Sequence, residues 1–141
     1  MKALRPFFLL AILLLVSHVC LAQVPKHDLG KSLSEMRQKY PNMIYHETRN
    51  KLVEYQAGNR TLTFKDNKLV CDCEDLFVGV NYVKQLLNKL EKTAYNRKSD
   101  ATDNSFSFSQ MFYYDGFWIT VGYWYDDGFL NFIFQSPDYF K

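Results

Sequence analysis

Cysteine, histidine and glycine are scarce in this chain, and each shortage excludes a class of protein. The 141 residues contain three cysteines, three histidines and six glycines. So few cysteines cannot staple a small disulfide scaffold, so apolar burial must stabilise the fold. The sequence has no glycine-rich phosphate loop and no Gly-x-Ser-x-Gly nucleophile elbow. We therefore expect neither an enzyme nor a cofactor-binding protein.

The chain has one long uncharged apolar run, and it lies at the N-terminus. Lys2 and Arg5 precede the apolar residues Phe7–Val16, and Cys20-Leu21-Ala22 offers the small side chains that a signal peptidase recognises. Ten apolar residues are too few to span a bilayer. The pattern predicts a cleaved signal peptide over 1–22. Residues 23–141 then form a single exported domain without a transmembrane span, in the periplasm or outside the cell.

Cys20 offers an alternative, a lipid anchor, which the flanking residues disfavour. Such a signal needs leucine three residues before the modified cysteine and a small residue directly before it. Ser17 and Val19 occupy those positions. We therefore expect Cys20 to be removed with the signal peptide.

Net charge also limits the choice of partners. Without Lys2 and Arg5, the mature chain has equal numbers of basic and acidic residues. A nucleic-acid-binding domain would show a basic patch, so we expect no nucleic-acid partner. Residues 23–70 hold nine bases and five acids, whereas residues 71–141 hold six bases and ten acids. The simplest interpretation is that the two halves attract each other within the fold.

The first half of the mature chain predicts a helix followed by four strands. Ser32-Leu33-Ser34-Glu35 fits a capping box, and Pro41 ends the helix near Tyr40. A short strand over Met43–Glu47 follows. A two-residue turn at Gly58-Asn59 pairs Tyr55 with Leu62, and the turn at Asp66-Asn67 would pair Phe64 with Leu69 and Leu62 with Cys71.

The second half predicts a longer helix and three strands. Asp75 would cap a helix from Leu76 to about Tyr95, and the polar residues 96–104 read as a mobile surface loop. The strands Ser105–Tyr114, Phe117–Asp126 and Phe129–Gln135 are separated by the hairpin signals Asp115-Gly116 and Asp127-Gly128. One face is almost wholly apolar and predicts the core: Phe106, Phe108, Phe112, Tyr114, Phe117, Ile119, Val121, Tyr123, Tyr125, Leu130, Phe132 and Phe134, interrupted by Gln110.

These elements predict an α+β fold in the order α-ββββ-α-βββ. An antiparallel sheet of six to seven strands would carry two helices on one face. The repeated order of helix and meander suggests a duplicated unit.

The run Gly30-Lys31-Ser32-Leu33-Ser34-Glu35-Met36, followed by Pro41, resembles the opening of small secreted proteins of Gram-negative bacteria. The element order across most of the mature chain is similar to the β-lactamase-inhibitor-protein-like fold, which also occurs in small envelope lipoproteins of outer-membrane assembly. The resemblance implies a protein-binding or envelope-structural role without chemistry, and it carries no binding residue to a numbered position.

Cys71-Asp72-Cys73 is the sharpest local motif. Residues two apart on a strand share a face, near the upper separation for a disulfide. The pair could serve thiol redox exchange or only packing. A zinc site would need two more ligands, and His27 and His46 are far away in sequence, so we expect no metal. We also expect both histidines on the surface, and His46 cannot share a site with Glu47 unless the strand is distorted.

The face opposite the predicted core offers a binding surface. It is mostly polar with large aromatic side chains, and its register would place Tyr113 opposite Trp118, and Trp124 between Ser107 and Asn131. Tryptophan and tyrosine dominate binding hot spots. The candidate partner-binding residues are Met111, Tyr113, Trp118, Trp124, Asn131 and Ile133. A protein is the expected partner, a glycan is the alternative, and the face could also be covered or simply solvated.

Overall fold

In a computed structural model, the fold is an antiparallel sheet with helices on one face. The structure describes residue 24, residues 26–93, residue 99 and residues 101–141. The predicted signal peptide, and Tyr95 at the predicted end of the second helix, lie outside these residues. The α-helices and strands, in chain order, are α1 (Leu33–Lys39), β1 (Ile44–Arg49), β2 (Leu52–Ala57), β3 (Arg60–Lys65), β4 (Lys68–Phe77), α2 (Val80–Thr93), β5 (Thr102–Asp103), β6 (Ser107–Tyr114), β7 (Phe117–Trp124) and β8 (Phe129–Gln135). A 3₁₀ helix, Pro137–Phe140, follows β8.

The sheet confirms the α+β class but has eight strands where six to seven were predicted. The strand order is β1-β2-β3-β4-β8-β7-β6-β5, and all the neighbours are antiparallel. The additional strand, β5, pairs Thr102 with Ser109 at one edge. It lies in the segment that was expected to be a mobile loop. A strand of two residues is too short to show an alternating sequence pattern, so β5 can be recognised only from its pairing with β6.

Helix α1 begins as its sequence predicts. The Glu35 backbone N–H donates to Ser32 Oγ at 3.3 Å, and the Ser32 N–H donates to the Glu35 carboxylate at 2.8 Å. This is a complete capping box. The helix ends at Lys39, just before Pro41.

Helix α2 starts later than predicted, because β4 continues through the expected cap. Asp75 pairs with Asn131, and Phe77 pairs with Phe129 on β8. Asp75 is therefore a strand residue and not a helix cap. Pairing at the centre of the sheet satisfies the backbone of these residues and outweighs their local helical pattern.

The predicted register of β3 and β4 is wrong beyond the turn. Phe64 faces Leu69 as expected, but Leu62 faces Asp72 and Thr63 faces Cys71. Val70 is the extra residue of a β-bulge. Its carbonyl accepts a hydrogen bond from the Ser136 N–H at 2.8 Å. The bulge turns Asp72 towards the core and Cys71 away from it, because side chains alternate along a strand.

The last two strands are also shifted from their predicted pairing. Trp124 faces Phe129, and Asn131 faces Gly122, whereas Trp124 was expected to face Asn131. Strand β7 stops at Trp124, and the turn uses four residues, 125–128, instead of Asp127-Gly128 alone. The shift is two residues, so every side chain keeps its predicted face. The β6–β7 register matches the prediction, with Tyr113 opposite Trp118.

Both α-helices pack on the same side of the sheet, here called the inner face. Met36 of α1 packs in a cluster on β2 to β4, and Val83, Leu86 and Leu90 of α2 pack in a second cluster on β6 to β8. The second cluster confirms the core of the predicted apolar face: Phe112, Ile119, Val121, Tyr123, Leu130, Phe132 and Phe134. Phe106 and Tyr125 are exceptions, because they lie just outside the ends of β6 and β7 and are exposed.

A buried charge network lies on the inner face between the two clusters. Arg60 donates from Nη1 to both oxygens of Asp72 at 2.9 Å, and from Nη2 to Glu74 at 2.8 Å. Asp72 is fully buried and also accepts from the Asp28 N–H. These contacts pair the acidic side chains that the β4 bulge directs into the core.

His27 corrects the expectation of surface histidines. Its ring is half-buried and stacks on Phe117 and Phe134, at centroid distances of 4.3 and 5.0 Å. Its Nδ1 accepts a hydrogen bond from the Leu29 N–H at 3.2 Å. His46 is exposed, as expected.

Candidate functional site

The candidate surface is the face of β4, β8, β7 and β6 that points away from both α-helices, here called the outer face. The pairing registers place its side chains in four rows across these strands. The rows are Phe77-Phe129-Trp124-Ser107, Asp75-Asn131-Gly122-Ser109, Cys73-Ile133-Thr120-Met111 and Cys71-Gln135-Trp118-Tyr113. Aromatic side chains therefore occupy the two end rows. The row that contains Asp75 and Asn131 is polar, and the row that contains Cys73 and Ile133 is mainly apolar.

All six predicted partner-binding residues lie on this face. Trp118 and Tyr113 stack edge to face with their ring centroids 5.0 Å apart. Both are half-buried, as are Met111, Asn131 and Ile133, whereas Trp124 is 42% exposed. No α-helix in the described ranges seals the indole rings from solvent, since α1 and α2 both pack on the inner face.

The indole of Trp124 lies beside Gly122 of the same strand. A Cβ at Gly122 would lie 3.6 Å from two carbons of the indole, so the ring rests beside the bare backbone of its own strand. On its other side the indole meets Phe129 at a centroid distance of 5.4 Å. The indole therefore lies close to the sheet between Gly122 and Phe129, and a single methyl group at position 122 would still be at an ordinary van der Waals distance from it.

Two aromatic residues of this face were missed by sequence reasoning. Phe77 is 79% exposed, and its ring contacts Phe129 at a centroid distance of 5.4 Å. Phe77 was assigned to a helix, and the predicted β7–β8 register, which is shifted by two residues, did not bring Phe129 opposite Trp124. The alternation of Cys73, Asp75 and Phe77 is the signal that could have identified a continuing strand.

Asn131 lies between the aromatic rows and connects two strands. Its Nδ2 donates to Asp75 Oδ1 at 2.7 Å and to Cys73 Sγ at 2.9 Å. These bonds orient the Asp75 carboxylate and leave a polar strip beside the exposed rings. The strip can provide hydrogen-bonding groups to a bound ligand.

The two thiols share the outer face but are poorly suited to redox exchange. Both cysteines are free; Cys71 is buried and Cys73 is half-buried. Burial raises the pKa of Cys71, and it raises the pKa of Cys73 to about 12. The reactive form is the thiolate, so both groups are almost entirely protonated near neutral pH. The 3₁₀ helix packs against β4 on this side, and burial together with the nearby thiols raises the pKa of its Tyr139.

A second β-bulge supplies the distortion that His46 and Glu47 would need to share a site. His46 is the extra residue between the paired positions Tyr45 and Glu47 of β1. Its ring nitrogen and the carboxylates of Glu47 and Glu54 lie within 4.8 Å of one another. This donor set could hold a divalent cation, although His46 and Glu47 are exposed to competing water.

An open cleft of about 570 Å³ lies between α2 and β6. Lys84 and Glu91 line it together with Leu87, Phe108 and Gln110. The side chain of Gln110 donates to the Ser99 carbonyl at 3.1 Å, which satisfies the polar residue that interrupts the core face.

Comparison with known proteins gives no relative. No protein-family model, curated protein or solved structure matches this chain. Within the described residues, no helix is both long enough and apolar enough to cross a membrane. Any functional argument therefore depends on the geometry of the outer face. This face is open and has aromatic rings in contact with each other and few ionisable groups.

Proposed function

We propose that this protein is an exported, non-enzymatic domain that binds another protein through the outer face. The observation that carries the proposal is the pair of aromatic end rows on a sheet face that neither α-helix covers. Large exposed aromatic side chains give much contact area for little loss of conformational entropy. Their ring contacts and the sheet backbone hold them in place before a partner arrives, which lowers the entropic cost of binding.

The export step is supported by the basic, apolar and small-residue pattern of residues 1–22. N-terminal sequencing of the protein recovered outside the cytoplasm should give Gln23 as the first residue. Recovery of the chain in the cytoplasm with Met1 retained would contradict the proposal.

A finer proposal concerns ancestry. Each half of the described chain runs helix and then four antiparallel strands, and the halves meet where β4 pairs with β8. We infer a duplicated unit, in keeping with the resemblance to the β-lactamase-inhibitor-protein-like fold. An experimental structure whose halves superpose on each other would support this inference, and halves that do not superpose would contradict it.

The binding proposal is tested by aromatic truncation with a matched control. Trp124→Ala and Trp118→Ala should abolish capture of a partner from envelope extract, and the identified partner should rebind the purified wild-type protein. Tyr45→Ala is the control, because Tyr45 is an exposed aromatic residue on the distant edge strand β1. Capture that survives both tryptophan variants with an intact fold, judged by circular dichroism, would rule out this face.

A glycan is the second candidate partner, and the position of Trp124 favours it. The indole lies beside Gly122, next to the polar strip of Asp75 and Asn131. A flat ring beside hydrogen-bonding groups suits a sugar that stacks on its apolar side. Titration with a broad glycan panel should then shift the indole emission, and the shift should vanish in Trp124→Ala. An unchanged spectrum across the panel would exclude this candidate.

A further inference from the structure

Exposed aromatic side chains concentrate at one end of the sheet, here called the aromatic end. It consists of Phe77, Phe106, Trp124, Tyr125 and Phe129. Four of these are the exposed members, with exposed fractions of 79%, 68%, 42% and 37% for Phe77, Phe106, Trp124 and Tyr125. Phe129 is half-buried between Phe77 and Trp124. Phe77, Phe129 and Trp124 lie on the outer face, whereas Phe106 and Tyr125 continue the inner-face positions, and Tyr125 contacts the ring of Tyr123 at a centroid distance of 5.6 Å. Exposed aromatic surface on both sides of one end of the sheet is typical of an interaction site.

Backbone hydrogen bonds hold the aromatic end in a fixed shape. The Val78 N–H donates to the Gly128 carbonyl at 2.8 Å, and the Tyr125 N–H donates to the Phe106 carbonyl at 3.0 Å. The Tyr123 hydroxyl donates to the Val78 carbonyl at 3.0 Å. The segments that carry the exposed rings are therefore tied to each other before any partner binds.

Every charge carried by these segments is negative. Asp126 and Asp127 lie in the turn between Trp124 and Phe129, and both are exposed. Asp75 lies one row below Phe77, and Asp103 accepts a hydrogen bond from the Tyr125 hydroxyl at 2.9 Å. Residues 75–78, 103–107 and 123–130 include no lysine, arginine or histidine.

The neighbouring helix adds no cation to this surface. The first turn of α2, residues 80–83, is uncharged. Lys84 follows it, but it lines the cleft between α2 and β6 on the inner side of the sheet. The negative charge around the exposed rings is therefore not balanced by the elements that form this end or by the start of the helix packed against it.

We propose that the aromatic end binds a positively charged segment of the partner protein, with arginine or lysine side chains that alternate with apolar ones. The proposal rests on the proposed function and names the chemistry of its partner. The cations would lie against the faces of Phe77 and Trp124 and close to the aspartates, while the apolar side chains cover Phe129. Cation–π contact and charge complementarity both favour this pairing over a neutral or acidic segment.

The proposal is tested with a defined peptide and an uncharged copy of it. The probe is a seven-residue Gly-Arg-Leu-Arg-Leu-Arg-Gly peptide with a neutral dye, followed by fluorescence anisotropy at 50 mM salt. In the control peptide, citrulline replaces each arginine and removes the charge while keeping the planar shape. The arginine peptide should bind at least tenfold more tightly, and its affinity should fall at 500 mM salt. Equal affinities, or no binding of either peptide, would overturn the proposal.

Variants of the acidic residues and of Trp124 show where on the protein the arginine peptide binds. Asp126→Asn combined with Asp127→Asn should weaken the arginine peptide at least threefold, and Trp124→Ala should weaken it further. Asp66→Asn combined with Asp138→Asn removes two exposed acids beside the distant cavity of Lys65 and Lys68 and should change nothing. Equal losses in both double variants would show a non-specific charge effect and overturn the proposal.

Failure of this inference differs from failure of the proposed function. A partner captured through Trp124 and retained by the Asp126→Asn, Asp127→Asn variant would leave the function standing and overturn the inference. Specific binding of the arginine peptide supports the inference even if envelope extract yields no partner, because the peptide tests the aromatic end directly and does not depend on the partner being present in the extract. Self-association in sedimentation experiments that Trp124→Ala abolishes would make a second copy the occupant and overturn the inference.

Discussion

His27 illustrates how one side chain can make stability depend on pH. Its imidazole is half-buried against Phe117 and Phe134. Burial lowers the pKa of His27, and the nearby carboxylates of Asp28 and Asp115 oppose that effect without cancelling it. The unfolded chain therefore binds this proton more readily than the folded chain. It follows that stability falls as pH drops below about 6.5, the ordinary histidine value.

Replacing His27 with Phe should remove this pH dependence. The new ring can keep the contacts with Phe117 and Phe134, and it has no proton to bind. Melting temperatures of the wild type should fall between pH 7.5 and 5.5, and those of His27→Phe should fall less. Gln38→Phe is the control, because it adds an aromatic ring at an exposed position without removing a titratable group and should leave the wild-type slope unchanged. An undiminished slope in His27→Phe would contradict the assignment.

Asp28 affects the stability of the fold at lower pH than His27 does. Burial alone would raise the pKa of Asp28, but its hydrogen bonds and ion pairs with Lys31 and Lys39 outweigh burial and lower it. Its contribution to stability is therefore present above the ordinary aspartate pKa of about 3.9 and is lost as pH falls below it. Titration of Asp28 therefore does not contribute to the change in stability that His27 is expected to cause between pH 7.5 and 5.5.

Replacement of Arg60 is expected to lower the stability of the fold strongly. Arg60→Met should lower the free energy of unfolding by about 3–5 kcal/mol, because it leaves the fully buried Asp72 carboxylate without its cation. Urea denaturation would measure the loss. Lys141→Met is the matched control: it breaks the exposed ion pair with Asp138 and should leave the unfolding midpoint unchanged. A loss under about 1 kcal/mol in Arg60→Met would show that Asp72 is not held as a charge.

At the level of elements, helix α1 depends on its capping box. It has only seven residues, so intrinsic helix propensity cannot hold it and the ends matter. Ser32→Ala should reduce the free energy of unfolding by about 1 kcal/mol. Gln38→Ala changes an exposed position of the same helix, away from the cap, and should cost less. Equal losses measured by urea denaturation would contradict the capping role.

The accuracy of the sequence predictions differed between elements for identifiable physical reasons. Asp115-Gly116 fixed a two-residue turn, because both residues adopt positive φ there, at 45° and 88°. Asp127-Gly128 is the same dipeptide, yet the chain turns over four residues, and the Gly128 carbonyl accepts from the Val78 N–H. That bond comes from a segment 50 residues away, which local sequence cannot reveal. Six candidate residues were therefore placed on the correct face, but Trp124 was given the wrong neighbour.

Bulges and strand ends were not predictable for a related reason. The bulges at His46 and Val70 depend on contacts with other strands and on the Ser136 N–H, and neither has a turn residue as a signal. Residues 75–77 continue a helical spacing of apolar side chains, but pairing with β8 keeps them extended. Phe77 was consequently missing from the predicted surface although it is its most exposed ring.

At the scale of the whole molecule, the two halves are joined side by side through β4 and β8. Seven residue pairs form this junction at the centre of the sheet. The division between the basic and the acidic part of the sequence falls inside β4, so the acidic residues Asp72, Glu74 and Asp75 belong to the first structural half. The network of Arg60 with Asp72 and Glu74 therefore joins the basic and the acidic part within β3 and β4, close to the junction. Continuous pairing of this kind predicts that neither half unfolds alone.

The two tryptophans, both in the second half, make this cooperativity measurable. Leu62→Ala opens a cavity in the first-half core, where Leu62 is fully buried, and should cost about 2–5 kcal/mol. If the sheet unfolds as one unit, the emission of Trp118 and Trp124 should report that full loss, with the same urea midpoint as circular dichroism. Gln56→Ala, an exposed change on β2, should leave both midpoints in place. Indole emission that keeps its wild-type midpoint while circular dichroism shifts would mean that the halves unfold separately. In that case the outer face, which is built mostly from β6 to β8, would remain intact while the first half is unfolded.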